Sequence, residues 1–166
     1  MLGKVLITGG GSGIGESIAK TFCDNNYDVY ILGRNEDKLK SVTNNSNNRI
    51  KYFVCDINNS NNLDNILSTL NDIDILINCA GIISSNEESE HFNSSELNDI
   101  LNTNLKNTIS LCLKVIDNWK ENNIKGNIIN IGSIAARNGS KYFPIYASSK
   151  GGIIAFSKSI ASRYGE

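Results

Sequence analysis

Short, uninterrupted apolar runs alternate with longer segments of helical period along nearly the whole chain, and this alternation restricts the fold more than any other feature. Lys4–Thr8 reads as a short buried strand running into glycines, and residues 14–25 place Ile14, Ile18, Ala19 and Phe22 on one helix face. A second strand is expected at 29–32 and a polar helix at 35–42. A third strand at 50–55 precedes a helix at 61–70 with Leu63, Ile66, Leu67 and Leu70 on one side, and a continuously apolar fourth strand covers 73–79. From about Ser95 a long helix is predicted, capped by Asn93 with Glu96 reaching back. Its apolar stripe is Leu97, Ile100, Leu101, Leu105, Ile109, Cys112, Val115, Ile116 and Trp119. Residues 127–131 form a fifth strand, and Pro144–Tyr164 a last helix. Pro144 suits a first helical turn, where its missing N–H has no intrahelical partner.

Strands apolar on both faces must be covered on both sides, which specifies a parallel sheet between helix layers. Right-handed crossovers then predict a doubly wound, three-layer α/β/α sheet of about five strands in the order 3-2-1-4-5. In such a sheet the ligand lies outside the carboxyl ends of the strands, so the informative residues should follow each strand directly.

The remaining bulk properties narrow the function. A chain of 166 residues, 40% hydrophobic and 20% charged, fits one soluble domain. A net charge of −1 gives no electrostatic basis for binding nucleic acid or an anionic membrane. No apolar run approaches the ~20 residues of a membrane span. Met1-Leu2-Gly3-Lys4 runs straight into the first strand, leaving no room for a signal peptide and predicting a cytoplasmic protein. Cys23, Cys55, Cys79 and Cys112 are scattered without a CxxC pair, so no metal site is expected, and Cys55 and Cys79 read as small hydrophobes. His91 sits in the polar stretch 84–95 and reads as a surface residue, and the run Asn44-Asn45-Ser46-Asn47-Asn48 as a loop.

After the first strand comes Thr8-Gly9-Gly10-Gly11-Ser12-Gly13-Ile14-Gly15, opening directly into a helix. Glycines there let the backbone turn tightly and approach a pyrophosphate, which the helix N-terminus attracts through its free N–H groups. Tyr146 and Lys150 lie four apart on the last helix, so their side chains share a face. A free tyrosine titrates near ~10, and an adjacent ammonium stabilises its phenolate, which suits proton transfer to or from an alcohol oxygen. Ser133, just past the fifth strand, can donate to a carbonyl oxygen as charge develops on it. Arg34 follows the second strand with no carboxylate beside it, which favours NADP(H) over NAD(H).

The TGxxxGxG turn, Cys55-Asp56-Ile57, Asn78-Cys79-Ala80-Gly81, Asn102-Thr103-Asn104-Leu105, Ser133 and the Tyr146/Lys150 pair together resemble the short-chain dehydrogenase/reductase family, in the right order and across the whole chain. The resemblance implies a Rossmann-like domain over residues 1–166 and interconversion of an alcohol and a ketone. Its catalytic set would be Asn104, Ser133, Tyr146 and Lys150. Its cofactor residues would be Gly9, Gly11, Ser12, Gly13, Ile14, Gly15, Arg34, Asp56, Ile57, Asn78, Ala80 and Gly81, with Tyr146 and Lys150. Asp56 would receive the adenine amino group, Lys150 the nicotinamide ribose, and Asn104 would support a proton-relay water. The substrate would be a small carbonyl or alcohol, such as a 3-oxoacyl-carrier-protein or a sugar, with residues 82–92 and 135–143 lining its side. Family members pair through the long helix and the Tyr146 helix, which implies a homodimer or homotetramer of the full-length protein.

Relative to that family the chain lacks the C-terminal strand–helix units and the substrate loop, so the sheet is expected to be incomplete at its fifth-strand edge and the isolated chain poorly stable and weakly active. Two rival readings are an epimerase or dehydratase on the same tyrosine and lysine, which the glycine spacing disfavours, and a non-catalytic nucleotide-binding or scaffold protein, which the intact Ser133, Tyr146 and Lys150 disfavour.

Overall fold

The computed structural model describes residues 2–83 and 94–165. Among them five strands form one sheet in the order β3-β2-β1-β4-β5, the order read from the sequence. They are β1 (Lys4–Thr8), β2 (Asp28–Gly33), β3 (Ile50–Val54), β4 (Ile75–Asn78) and β5 (Asn127–Asn130). Central β1 pairs in parallel on both sides, with Leu6 opposite Tyr30 and Leu76, and Thr8 opposite Leu32 and Asn78. The helices are α1 (Gly13–Asp24), α2 (Glu36–Asn45), α3 (Ser60–Thr69), α4 (Ser94–Leu101), α5 (Asn107–Asn122), α6 (Ala135–Asn138) and α7 (Pro144–Tyr164). None of them is long and apolar enough to cross a membrane.

The described residues fall into two compact units. The first runs to Ala80 and includes Leu111–Ile129. Its core joins Val5, Ile7, Val29, Ile31, Ile50 and Ile77 of the strands to Ala19, Cys23, Leu39 and Val42 of α1 and α2. Leu6, Leu32 and Leu76, of opposite phase on the same strands, are also fully buried. Side chains alternate across a strand, so burial of both phases is the reason these segments are apolar without interruption. On β5 Ile129 is 43% exposed, in keeping with its place at the sheet edge. Asparagine side chains start two of the helices: Asn35 Oδ1 accepts from Lys38 N–H at 3.0 Å, and Asn59 Oδ1 from Asn62 N–H at 3.1 Å. The Asn44–Asn48 run is only half a loop. Asn44 and Asn45 close α2, while Asn47 and Asn48 turn left-handed at φ 53° and 59°, a conformation asparagine tolerates.

The second unit holds Gly81–Ser110 and the residues from Asn130 onward. Here the single long helix expected from residue 95 is interrupted. Asn102–Lys106 form a π-helical turn, in which Asn107 N–H reaches back five residues to the carbonyl of Asn102 and Thr108 Oγ1 donates to Thr103 O at 3.4 Å. The buried positions of this stretch are Ile100, Thr103, Asn104 and Thr108, whereas Leu97 is exposed and Leu101, Leu105 and Ile109 only half-buried. The wide turn therefore rotates polar side chains inward between Leu101 and Ile109, a use to which π turns are often put at functional sites, while Ile100, Cys112, Val115, Ile116 and Trp119 of the expected stripe are buried. The short helix α6 was not anticipated. Asn93 and His91 lie outside the described residues, as do 84–92 of the expected substrate side.

Candidate functional site

In the first unit the expected cofactor residues gather at the carboxyl ends of β1, β2, β3 and β4. The turn after β1 is shaped by close approach. Gly9 lies at φ 70°, and a Cβ on it would sit 2.8 Å from the amide nitrogen of Ala80. A Cβ on Gly15 would stand 2.3 Å from the carbonyl oxygen of Gly9, so only glycine lets α1 start this close to the strand. Gly13 is also left-handed, at φ 56°, but faces open space with no atom within 4 Å of where its Cβ would be. Ser12 precedes it as the N-cap of α1, with no side-chain cap bond, and Ile14 projects into solvent with 61% of its surface exposed. Gly11 packs against α2, a Cβ there meeting Lys38 Cβ at 3.4 Å.

Arg34 is exposed just after β2. Asp56 follows β3 half-buried, and its Oδ1 accepts from both the N–H and the Nδ2 of Asn58 at 2.9 Å. Ile57 is buried, so its side chain belongs to the core. Burial, and secondarily the charge of Asp56, pushes the Cys55 thiol up, which suits its place as an apolar core residue. Asn78 ends β4 and donates from Nδ2 to Cys112 Sγ at 3.2 Å. Thr8, which sequence reasoning treated only as the start of the glycine turn, proves to be a junction: its Oγ1 accepts from Cys79 N–H at 3.2 Å and Ala80 N–H at 3.1 Å.

The second unit brings together Gly81, Asn104, Tyr146 and Lys150. A Cβ on Gly81 would be 3.3 Å from Asn104 Oδ1 and 3.7 Å from Lys150 Nζ. Lys150 is buried, donates from Nζ to the carbonyl of Ile131 at 2.7 Å, and holds its ammonium 5.9 Å from the centroid of the Tyr146 ring. Tyr146 is half-buried. Ser133 Oγ accepts from Ala135 N–H at 3.2 Å, which leaves the hydroxyl proton to donate elsewhere. Asn104 is almost wholly buried and its amide fully engaged: Oδ1 accepts from Ile82 N–H at 2.8 Å, while Nδ2 donates to Ile82 O at 2.7 Å and to Ser149 Oγ at 3.2 Å. Ser149 was not singled out from the sequence. The available signal was a serine inside the Tyr146/Lys150 turn, on the side that α7 buries.

A parallel sheet in this order, with a glycine-lined turn leading from its central strand into a helix, defines the doubly wound Rossmann-like class. The family model described as short chain dehydrogenase matches residues 3–166, and the chain belongs to that family. A 3-oxoacyl-(acyl-carrier-protein) reductase of Chlamydia pneumoniae is 34% identical over 165 residues, covering 95% of this chain and 66% of the reductase. The chain thus spans about two thirds of the length of the curated relatives it matches. Among solved structures, a short chain dehydrogenase from Bacillus anthracis superposes with a TM-score of 0.90 at 28% identity, covering 98% of this chain and 68% of that one. A 4-hydroxyisoleucine dehydrogenase complexed with NADH gives 0.87 at 28% identity, covering 98% and 70%.

Proposed function

We propose that the protein is a nicotinamide-dependent oxidoreductase that interconverts a secondary alcohol and a ketone, with Tyr146 as general acid and base. The observation that carries this reading is the buried Lys150, held by Ile131 O at 2.7 Å with its ammonium beside the Tyr146 ring. A buried ammonium is costly unless it serves an anion or a set of acceptors, and here it stands ready to stabilise a phenolate one helical turn away. Ser133 donates to the substrate oxygen, Tyr146 transfers the proton, and Lys150 keeps the tyrosine competent in both directions. Asn104 acts through the backbone it orders, since its side-chain amide is already committed to Ile82 and Ser149. A bound nicotinamide dinucleotide supplies or accepts the hydride.

The residues of the first unit fit that group. At Gly13 no atom lies within 4 Å of where a Cβ would be, and Gly9 and Gly15 let the strand end and the start of α1 pack closely, so a pyrophosphate would lie at the N-terminus of α1. Asp56 Oδ1 is taken by Asn58, and the other carboxylate oxygen would receive the adenine amino group. Ile57 and Asn78 would act through backbone and packing, and Ala80 through backbone. Arg34, exposed with no carboxylate beside it in sequence, favours NADP(H). The reductase relatives make a 3-oxoacyl thioester the first substrate class to try. A cytoplasmic homo-oligomer is the setting this reading implies.

Oxidation of NADPH and NADH, followed by absorbance with a panel of 3-oxoacyl thioesters and ketones, tests the reading. Tyr146→Phe should lower kcat by about 10²–10⁴ while leaving dinucleotide binding intact. Turnover undiminished in Tyr146→Phe would overturn the mechanism. For the cofactor, Arg34→Asp should shift preference from NADPH toward NADH, and a wild type that already prefers NADH refutes the NADP(H) assignment.

A further inference from the structure

Ser149 lies between the two residues on which the proposed chemistry depends, and its hydroxyl is used twice. It is fully buried, accepts from Asn104 Nδ2 at 3.2 Å and donates to the carbonyl oxygen of Tyr146 at 2.7 Å. A hydroxyl has one proton, so donation to Tyr146 leaves only lone pairs for Asn104. The direction of the Asn104 amide is set independently, because Oδ1 must face the N–H of Ile82 at 2.8 Å. The result is one continuous tie of fixed polarity, from the Ile82 backbone through Asn104 and Ser149 to the Tyr146 carbonyl.

We infer that Ser149 is a positioning residue for the Tyr146/Lys150 pair, anchoring to Asn104 the helical turn that presents both side chains. The inference rests on the reading of Tyr146 as acid and base given above. In an α-helix the carbonyl of Tyr146 is also the acceptor for the N–H of Lys150, four residues on. The peptide that Ser149 holds therefore belongs to the turn that spaces the phenol from the ammonium.

Serines in helices often bond back to a preceding carbonyl without further consequence, as Ser148 and Ser159 do here, donating to Pro144 O and Ala155 O at 2.9 Å. The same helix also supplies a matched comparison. Ser157 accepts from Asn130 Nδ2 at 2.8 Å and donates to Ile153 O at 2.7 Å, an asparagine–serine–carbonyl tie of the same chemistry about 12 Å further along α7. Both ties dock the helix. Only the Ser149 tie ends on the Tyr146 carbonyl.

The test compares Ser149→Ala with Ser157→Ala in the full chain, by thermal melt and by the split of kcat and KM with NADPH and a 3-oxoacyl thioester. Both variants should lower the melting temperature. Ser149→Ala should lower kcat tenfold or more with KM changed less than threefold, and Ser157→Ala should keep kcat within twofold. In a double-mutant cycle the Ser149→Ala and Asn104→Ala losses should fall well short of multiplying, because they break one tie. Equal kcat losses in the two serine variants, or multiplicative losses in the cycle, would overturn the inference. Ultraviolet titration of tyrosinate, with Tyr146→Phe subtracted to isolate Tyr146, gives a readout that needs no turnover. Its midpoint should move in Ser149→Ala and stay in Ser157→Ala, and an unmoved midpoint in both also overturns the inference. A wild-type chain that neither binds dinucleotide nor reduces any ketone would instead bring down the proposed function.

Discussion

Replacing Thr8 with valine separates shape from hydrogen bonding at the joint between β1 and β4. The Thr8 side chain is 1% exposed, and its Oγ1 accepts two N–H groups at once, from Cys79 at 3.2 Å and Ala80 at 3.1 Å. Valine keeps the branched outline and exchanges the hydroxyl for a methyl, so both amides lose their acceptor together. An unmet buried N–H costs about 1–3 kcal/mol, and these amides are only partly buried, so about 3 kcal/mol for the pair is a reasonable gross loss. The added methyl returns about 0.8 kcal/mol of burial, leaving a net destabilisation of about 2 kcal/mol. For a chain of this size that corresponds to a fall of roughly 4–8 °C in melting temperature. Thr8→Ser is the counter-variant: it keeps the acceptor, loses one buried methyl, and should cost only about 1 kcal/mol. Circular-dichroism melts of the three proteins give the order directly. Hydrophobicity alone ranks valine above serine at a buried site, whereas the hydrogen-bond argument ranks serine above valine. A valine variant as stable as wild type, or more stable than the serine variant, refutes the reasoning.

Gly15→Ala should be worse than its single methyl suggests, because the new Cβ would lie 2.3 Å from the backbone oxygen of Gly9 and no flexible side chain can give way. The start of α1 must move, which should cost about 1–3 kcal/mol in urea unfolding and weaken dinucleotide binding in a fluorescence titration; unchanged affinity would contradict the proposed role of this turn. Asp72 is held below the ordinary carboxylate range by a hydrogen bond and the charge of the Lys4 ammonium. Its folded-state value is depressed, so its contribution is present above the unfolded value near 3.8 and is lost as pH falls through the lower folded value. With the Asp72 side chain 62% exposed the effect is screened to less than about 1 kcal/mol. The stability gap between wild type and Asp72→Asn should therefore be small at pH 7 and vanish once pH falls below the lowered folded-state value, and a gap that widens on acidification refutes it.

The parallel sheet was legible because continuous apolar runs must be covered on both faces, whereas the order 3-2-1-4-5, one of two common doubly wound orders, goes with the family resemblance. Val5, Leu6 and Ile7 must be covered on two faces, and a chain of alternating helices can do that only around a parallel sheet. The glycine turn was legible for a related reason: three of its glycines meet backbone or sit left-handed, demands that composition and position announce together. Helix ends were harder. Asn44 and Asn45 extend α2 into what composition marks as a loop, since asparagine is a poor helix former but an adequate closing residue beside buried Val42 and Ser46.

The stretch around Asn104 was least legible, and the reason is physical. Leu97, Leu101, Leu105 and Ile109 recur every four residues, and on an ideal helix each such step drifts about 40° around the axis. Read as a stripe they suggest an apolar face turned inward, yet the inward positions over this span are Ile100, Thr103, Asn104 and Thr108. The π turn at Asn102–Lys106 takes up one extra residue and thereby aims a fully hydrogen-bonded asparagine at Ile82 and Ser149. Burying three polar residues side by side is tolerable only because each finds a partner, and periodicity carries no record of partners. A place where the hydrophobic period and the observed burial disagree, and where every buried polar group is nevertheless satisfied, is where local folding preference has yielded to the needs of a site. In this chain that place is the helix segment that orders the backbone beside Tyr146 and Lys150.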